Sequence, residues 1–157
     1  MDFTVSRESS VSTSWPASRA ASLFRSSLPA AFSVAAVSRF AVEWTDEILP
    51  ALETRPEILE AEVQAIRMGE VYLVANPSEL FTTLGLELRR RCPLDELFML
   101  SYSNGSIGYL PDAYDVERRS YAAVQSAKFT GQFPFTKESG PAMVDGMLGA
   151  LESVGGQ

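Results

Sequence analysis

Residues 59–75 constrain the fold most strongly, because they join an alternating segment to a second apolar segment through a short turn. In LEAEVQAIR (59–67), polar residues alternate with Ala61, Val63 and Ala65, the pattern of a strand with one buried face. Met68-Gly69-Glu70 is a short turn, and VYLVA (71–75) is a more uniformly apolar strand. The segment therefore predicts a β-hairpin.

The rest of the chain alternates strand and helix patterns. Asn76-Pro77-Ser78 interrupts the second strand, and Ser78 is a suitable N-cap for a helix. The predicted elements that follow are a helix over 79–91 that Pro93 ends, a strand over 96–102, a helix from Pro111-Asp112 to about 127, an aromatic loop over 129–135 and a helix over about 140–154. This order predicts an α/β fold, a partial mixed sheet with helices packed on it.

The first 37 residues differ from the rest of the chain. Residues 1–40 are rich in Ser and Ala and contain four Arg against two acidic residues, whereas residues 41–157 contain nine basic and eighteen acidic residues. Near residue 38 a four-residue apolar spacing begins, with Phe40, Trp44, Ile48 and Leu52, which predicts an amphipathic helix. We therefore expect a poorly ordered low-complexity leader over 1–37 and a folded domain over 38–157.

The origin of this leader stays open from the sequence. Its Ser, Ala and Arg content is typical of an organelle transit peptide, and residues 28–37 are somewhat similar to the apolar region of a signal peptide. A non-native extension ahead of a truncated gene is the third interpretation. The compartment is cytoplasmic if the leader is not a targeting segment, and otherwise organellar or secreted.

Composition excludes several classes of function. The net charge of −7 argues against nucleic-acid binding, which needs a basic face. No stretch has the roughly 18 uninterrupted apolar residues of a membrane span. Cys92 is the single cysteine and the chain has no histidine. An internal disulfide and a Cys–His nucleophile are therefore both impossible.

The order of motifs over 60–152 resembles the neutral/alkaline ceramidase-like hydrolases. The segments that carry the resemblance are EAEVQAIRMGEVYLVANPSELFTTLG, LSYSNGSIGYLPDAYDVERRSYAAVQSAKF and SGPAMVDGMLGALE. They are similar to a strand pair ending in a Pro-Gly-Glu turn, a strand leading into Asn-x-x-x-Gly-Tyr, a Tyr-containing helix and a Gly/Ala-rich closing helix. The resemblance covers about 38–154 and implies the C-terminal half of a larger α/β catalytic domain.

The resemblance also implies a site. In that family two His, one Glu and one Tyr hold a zinc ion that serves amide hydrolysis, and Glu79 and Tyr109 match the Glu and the Tyr. Tyr109 would also be catalytic, and Asn104 and Tyr121 fall at positions on the substrate side. The chain departs from the family pattern at Ser78, which replaces Gly, and at Ala122, which replaces a Glu. Without histidine, we expect this chain alone to bind zinc weakly or not at all.

Two functions follow as expectations. The chain is part of a zinc-dependent amidase acting on N-acyl amides and inactive alone, or it is a non-catalytic binding or scaffold domain derived from that fold. In the first case a missing N-terminal half or a separate subunit supplies the His ligands. The apolar strands at 71–75 and 97–102 predict an exposed apolar surface and self-association in the absence of that partner. Glu79 and Tyr109 are expected to share one concave site, with Asn104 near its rim.

Overall fold

A computed structural model describes residues 3–9, 13–14 and 58–155, together with residues 42–43, 45–46, 49–50 and 54 between them. Its main sheet has four strands in the order β1 (Phe3–Ser9), β4 (Glu62–Met68), β5 (Val71–Ala75) and β7 (Leu97–Leu100). β1 and β5 pair antiparallel with β4, and β7 pairs parallel with β5. A shorter pair joins β2 (Thr13–Ser14) to β3 (Ile58–Leu59). The mixed α/β architecture expected from the sequence is confirmed.

The predicted hairpin forms as the pattern indicates. β4 and β5 are antiparallel, with Met68 opposite Val71, and residues 69–70 form the turn. Gly69 has a positive φ of 64° in this turn, a conformation that glycine adopts without a steric cost. The strand predicted over 59–67 is divided, because β3 ends at Leu59 and β4 begins only at Glu62.

Helices cover one face of the main sheet. The long helix α3 (Ser139–Gly155) packs on β1, β4 and β5 and also contacts α1 (Thr82–Arg91). Its C-terminal end is tied to the sheet, because the Gly155 carbonyl accepts hydrogen bonds from Arg67 at 3.1 Å and from the Tyr72 hydroxyl at 3.4 Å. A cation at this position also suits the helix dipole. The core between sheet and helices includes Val63, Ala65, Val74, Leu88, Leu110, Met143, Val144 and Met147.

The helix predicted over 79–91 begins three residues later than expected. Residues 78–80 instead form β6 (Ser78–Leu80), which pairs in parallel with β8 (Gly108–Leu110). Ser78 is not an N-cap: its hydroxyl donates to the Asn76 side chain, and the residue before the helix is Phe81, without a side-chain cap. The local capping pattern was therefore overridden by strand pairing with a segment 30 residues away.

The helix predicted from Asp112 to about 127 is broken. Asp112 does cap α2 (Ala113–Glu117), by accepting a hydrogen bond from the Asp115 amide. Arg119 then takes a left-handed conformation with φ 56°, which an α-helix cannot contain. A π-helical turn over Tyr121–Gln125 and a 3₁₀ segment over Ser126–Thr130 follow. Of the aromatic loop predicted over 129–135, Phe129 lies in the 3₁₀ segment and is exposed, whereas Phe135 lies after it and is buried.

Part of the main sheet's face opposite α3 is apolar. Here we use "outer face" for Ile66, Leu73 and Phe98, which lie side by side in the strand register, and for Leu100, two residues further along β7. Phe98 is 52% exposed and Leu100 is 43% exposed. β7 is also the last strand on its side of the sheet.

The expected boundary near residue 38 stays a prediction. The structure places Phe3–Ser9 in the main sheet beside β4, a pairing that the sequence did not indicate. Phe40, Trp44, Ile48 and Leu52 lie outside the described residues. Among the described residues, no helix is both long and apolar enough to span a bilayer.

Candidate functional site

The site begins where the chain leaves the main sheet. Asn76, fully buried, follows β5, and its side-chain oxygen accepts hydrogen bonds from the Ser78 amide at 3.0 Å and the Ser78 hydroxyl at 2.5 Å. Its side-chain nitrogen donates to the Leu100 carbonyl at 3.2 Å. Asn76 therefore connects the ends of β5 and β7 and turns the chain into β6.

Glu79 and Tyr109 lie side by side on the two strands that this turn brings together. They are register partners in the parallel pair of β6 and β8, so their side chains leave the pair on the same side. The Glu79 carboxylate is close enough to Tyr109 to raise the pKa of its phenol. The Tyr109 ring packs edge-on against Phe81, with ring centroids 6.3 Å apart. A carboxylate and a phenol 30 residues apart in sequence thus meet at one point.

Tyr102 is a third member of this group. It lines the same cleft as Glu79 and Tyr109, and its side chain is 59% exposed. Its backbone is left-handed, with φ 55°, a conformation that costs a non-glycine residue roughly 1–2 kcal/mol. The Tyr102 amide reaches the Ser78 carbonyl at 3.4 Å, and the next amide donates to the Asn76 carbonyl at 3.0 Å. These contacts hold the loop over the end of β6.

The shared carboxylate raises the pKa of both phenols. Hydrogen bonding to Glu79, reinforced by partial burial and by the negative charge of Glu79, raises the pKa of Tyr102 to about 12. The charge of Glu79, then the hydrogen bond to it, raises the pKa of Tyr109. Both effects have one cause, since a phenol that donates to an anion resists losing its proton. At neutral pH both tyrosines are hydrogen-bond donors.

The three residues border an open cleft of about 500 Å³. Its wall is completed by Leu80, Phe81, Thr82, Thr83, Ser101, Asp112 and Asp115. Asp112 accepts from the Thr83 hydroxyl at 2.7 Å and from the Asp115 amide at 2.8 Å. Asp115 pairs with Arg118 at 2.7 Å. These two carboxylates therefore have partners of their own in Thr83, the Asp115 amide and Arg118.

The structure brings together only some of the residues singled out from the sequence. Glu79 and Tyr109 converge, although Glu79 lies on a strand rather than in the first turn of a helix. Asn104 is not among the cleft residues, and its side chain donates to Gln64 at 3.3 Å. Tyr121 is exposed at the start of the π-helical turn, near enough to influence Tyr109 electrostatically. Substrate-side roles for Asn104 and Tyr121 stay predictions.

Sequence reasoning missed Tyr102. Nothing in SYSNG (101–105) distinguishes this tyrosine from an ordinary turn residue. Its position depends on a left-handed backbone at Tyr102 and again at Asn104, where φ is 62°. Asn-Gly in this segment does indicate a turn with positive φ, but it does not predict which side chain the turn directs at Glu79.

The donors in this cleft do not make a zinc centre. The chain contains no histidine, and the described residues contain no group of three His, Cys, Asp or Glu side chains able to hold a metal. Cys92 lies just after α1 and packs against the core. Zinc in proteins relies on imidazole or thiolate for much of its affinity. Glu79 and Tyr109 alone therefore do not fit zinc.

Comparisons with known proteins give a distant structural likeness. No protein-family model and no curated protein matches the chain. Among solved structures, a ceramidase complexed with C2 is 18% identical over 62% of this chain, with a TM-score of 0.45. Neutral ceramidase from Pseudomonas aeruginosa is 16% identical over the same share, also with a TM-score of 0.45. The match spans 15% of the length of each of those chains, and at these values it assigns no activity.

Proposed function

We propose that this chain is a non-autonomous part of a ceramidase-like hydrolase of N-acyl amide bonds. It would contribute Glu79 and Tyr109 to a zinc-dependent site and depend on another polypeptide, or on a segment outside this sequence, for the imidazole ligands. The observation that carries the proposal is the position of Glu79 and Tyr109, register partners that line one open cleft. These are the two residues that the motif resemblance designates for the site.

The chain's own residues have definite roles under this proposal. Zinc, when bound in such a site, supplies a polarised carbonyl and an activated water. Glu79 offers a carboxylate that the pairing of β6 with β8 places beside Tyr109. Tyr109, protonated at neutral pH, donates a hydrogen bond into the cleft, where an amide oxygen or a leaving amine could accept it. Phe81 limits the orientations of the Tyr109 ring.

The need for a partner is supported by the outer face. Phe98 and Leu100 are exposed on β7, and this strand ends the main sheet on its side. An edge strand with exposed apolar side chains can pair with another chain. A polypeptide that extends the sheet at β7 would lie beside the segment 101–110, which carries Tyr102 and Tyr109. The same surface would bring new ligands close to the cleft.

The test is reconstitution. The chain alone, with and without added zinc, is expected to show no hydrolysis of a fluorogenic N-acyl sphingosine. Co-expression with the product of the coding sequence immediately upstream is expected to restore hydrolysis and stoichiometric zinc, provided that product carries paired histidines. Glu79→Gln and Tyr109→Phe should abolish the restored activity, whereas Tyr114→Phe, at an exposed tyrosine of α2 that does not line the cleft, should not. Activity that survives Glu79→Gln would refute the proposed role.

A second function has its own supporting observation. The sequence has no histidine to accompany the Glu79 carboxylate as a metal ligand, which suits a non-catalytic binding or scaffold domain derived from the same fold. Sedimentation separates the two functions. A stable, dilutable monomer that binds no hydrophobic dye favours the self-contained module, and self-association through an apolar surface favours the incomplete domain.

A further inference from the structure

We infer that Asn104 is a site of spontaneous deamidation, in which its side-chain amide is lost after attack by the backbone nitrogen of Gly105. The modified residue is then an aspartate or an isoaspartate in the loop between β7 and β8, the loop that also carries Tyr102. Neither a partner polypeptide nor zinc takes part, so this property lies beyond the proposed function.

The reaction uses only groups of the chain and water. The Gly105 nitrogen loses its proton to solvent and forms a bond to Cγ of Asn104, while the bond from Cγ to Nδ2 breaks and ammonia leaves. The cyclic succinimide that results takes up one water molecule. Opening between Cγ and the nitrogen leaves aspartate in an ordinary backbone. Opening at the backbone carbonyl leaves isoaspartate, whose chain runs through the side chain.

The loop leaves both reacting groups accessible. Asn104 and Gly105 are exposed, and Gly105 has no side chain to shield its nitrogen. The φ of Gly105 is 145°, a conformation that glycine adopts without a steric cost. The amides of Ser103 and Ile107 donate to backbone carbonyls, whereas in the described part of the chain the Gly105 amide makes no hydrogen bond. Its nitrogen is therefore free to approach Cγ.

The Asn104 side chain is weakly held. Over the residues that the structure describes, its one side-chain hydrogen bond runs from Nδ2 to Gln64 Oε1, at 3.3 Å and exposed to solvent. This distance is beyond the usual range for an amide donor. The side chain can therefore turn towards the Gly105 nitrogen at little energetic cost.

The other asparagine of the chain is protected on each of these counts. Asn76 is fully buried, and both ends of its side chain are hydrogen-bonded. The next residue is Pro77, whose nitrogen carries no proton to lose. Asn76 is therefore an internal control that should stay intact under conditions in which Asn104 reacts.

Deamidation would change the loop that lies over the end of β6. A carboxylate has no proton with which to donate to Gln64, so that contact is lost. Isoaspartate also lengthens the backbone by one methylene, between residues 103 and 107, whose amides are both tied to carbonyls of the 76–77 segment. We therefore expect the modified loop, with Tyr102, to be held less firmly.

The experiment follows the purified full chain over several days in a mildly alkaline buffer at physiological temperature. Trypsin places Asn104 in the peptide 92–118, which contains no other Asn or Gln, and Asn76 in the peptide 68–89. The mass gain of deamidation is expected in the first peptide and not in the second. Labelling by protein L-isoaspartate methyltransferase with radioactive S-adenosylmethionine should rise in parallel. Asn104→Gln, whose longer side chain closes the equivalent ring far more slowly, should abolish both signals.

The chain unfolded in guanidinium chloride gives the reference rate. Deamidation of the folded chain at a comparable rate supports the inference, because an exposed loop gives no protection. A folded chain that shows no mass gain in the peptide 92–118, or one slower by an order of magnitude, would overturn it. Chymotrypsin should cut the aged chain at Tyr102 faster than Asn104→Gln aged in the same way, and equal rates would refute the loosening of the loop.

Discussion

Gly108 offers a sharp test of how the candidate site is held in place, because it immediately precedes Tyr109 in β8. Its φ is +77°, and a Cβ added there would lie 2.9 Å from Thr130 Cγ2 and 3.0 Å from Thr130 Oγ1. Gly108→Ala therefore combines a backbone cost with a steric one. A left-handed alanine costs roughly 1–2 kcal/mol, and crowding a packed position costs roughly 1–3 kcal/mol. We expect a loss of about 2–5 kcal/mol in the free energy of unfolding.

Gly69 is the matched control. It has nearly the same backbone conformation, with φ +64°, but an added Cβ meets nothing within 4 Å. Gly69→Ala should therefore show the backbone cost alone, about 1–2 kcal/mol. The difference between the two alanine variants isolates the contact between β8 and Thr130.

Chemical denaturation measures both losses, provided that the m-value of each variant matches the native one. A double-mutant cycle checks the assignment. In a Thr130→Ala background, Gly108→Ala should cost only about as much as Gly69→Ala does, because the crowding atoms are gone. If Gly108→Ala and Gly69→Ala cost the same in the native background, the close approach of Gly108 to Thr130 is not what the structure indicates.

Three further predictions concern pH and surface contacts. Hydrogen bonding to Glu79 favours the protonated phenol of Tyr102 and raises its pKa to about 12. The native chain should therefore be more stable than the Tyr102→Phe variant below about pH 10, and this difference in the free energy of unfolding should disappear as the pH rises through about 12. Urea unfolding across that pH range measures the difference. Hydrogen bonds from the Asp115 amide and from Thr83 lower the pKa of Asp112. Asp112→Ala should therefore reduce the free energy of unfolding by about 1 kcal/mol at neutral pH, and this loss should shrink as the pH falls below the ordinary pKa of Asp. A loss that does not change with pH would contradict this. Phe98→Glu on the outer face should reduce self-association and hydrophobic-dye binding in sedimentation and fluorescence, and Leu86→Glu, at a more exposed position on α1, should change neither.

The local elements were largely predictable because each depends on residues close together in sequence. The alternation in 59–67, the turn at Gly69 and the apolar run 71–75 gave the hairpin, and the long apolar pattern near the C-terminus gave α3. The lack of histidine also led to the prediction that this chain alone binds zinc weakly or not at all. These inferences needed no knowledge of which strands pair.

Elements whose conformation depends on distant partners were predicted less well. Ser78-Glu79-Leu80 looked like the start of a helix, yet it pairs with Gly108–Leu110 and becomes a strand. A strand's hydrogen bonds lie on another segment, so a local capping pattern cannot exclude it. The helix expected after Asp112 fails at Arg119 for a related reason: its positive φ is compatible with many local sequences.

The sequence by itself determined that Glu79 and Tyr109 were the residues to examine, that nitrogen ligands were lacking, and that an α/β sheet would carry them. Only the tertiary structure decided that the two residues are register partners and that Tyr102 lines the same cleft. The physical reason is that their meeting depends on the buried Asn76, whose side chain links Ser78 to the end of β7, and on the register of two short strands. Both are set by hydrogen bonds between residues distant in sequence, which no local pattern specifies.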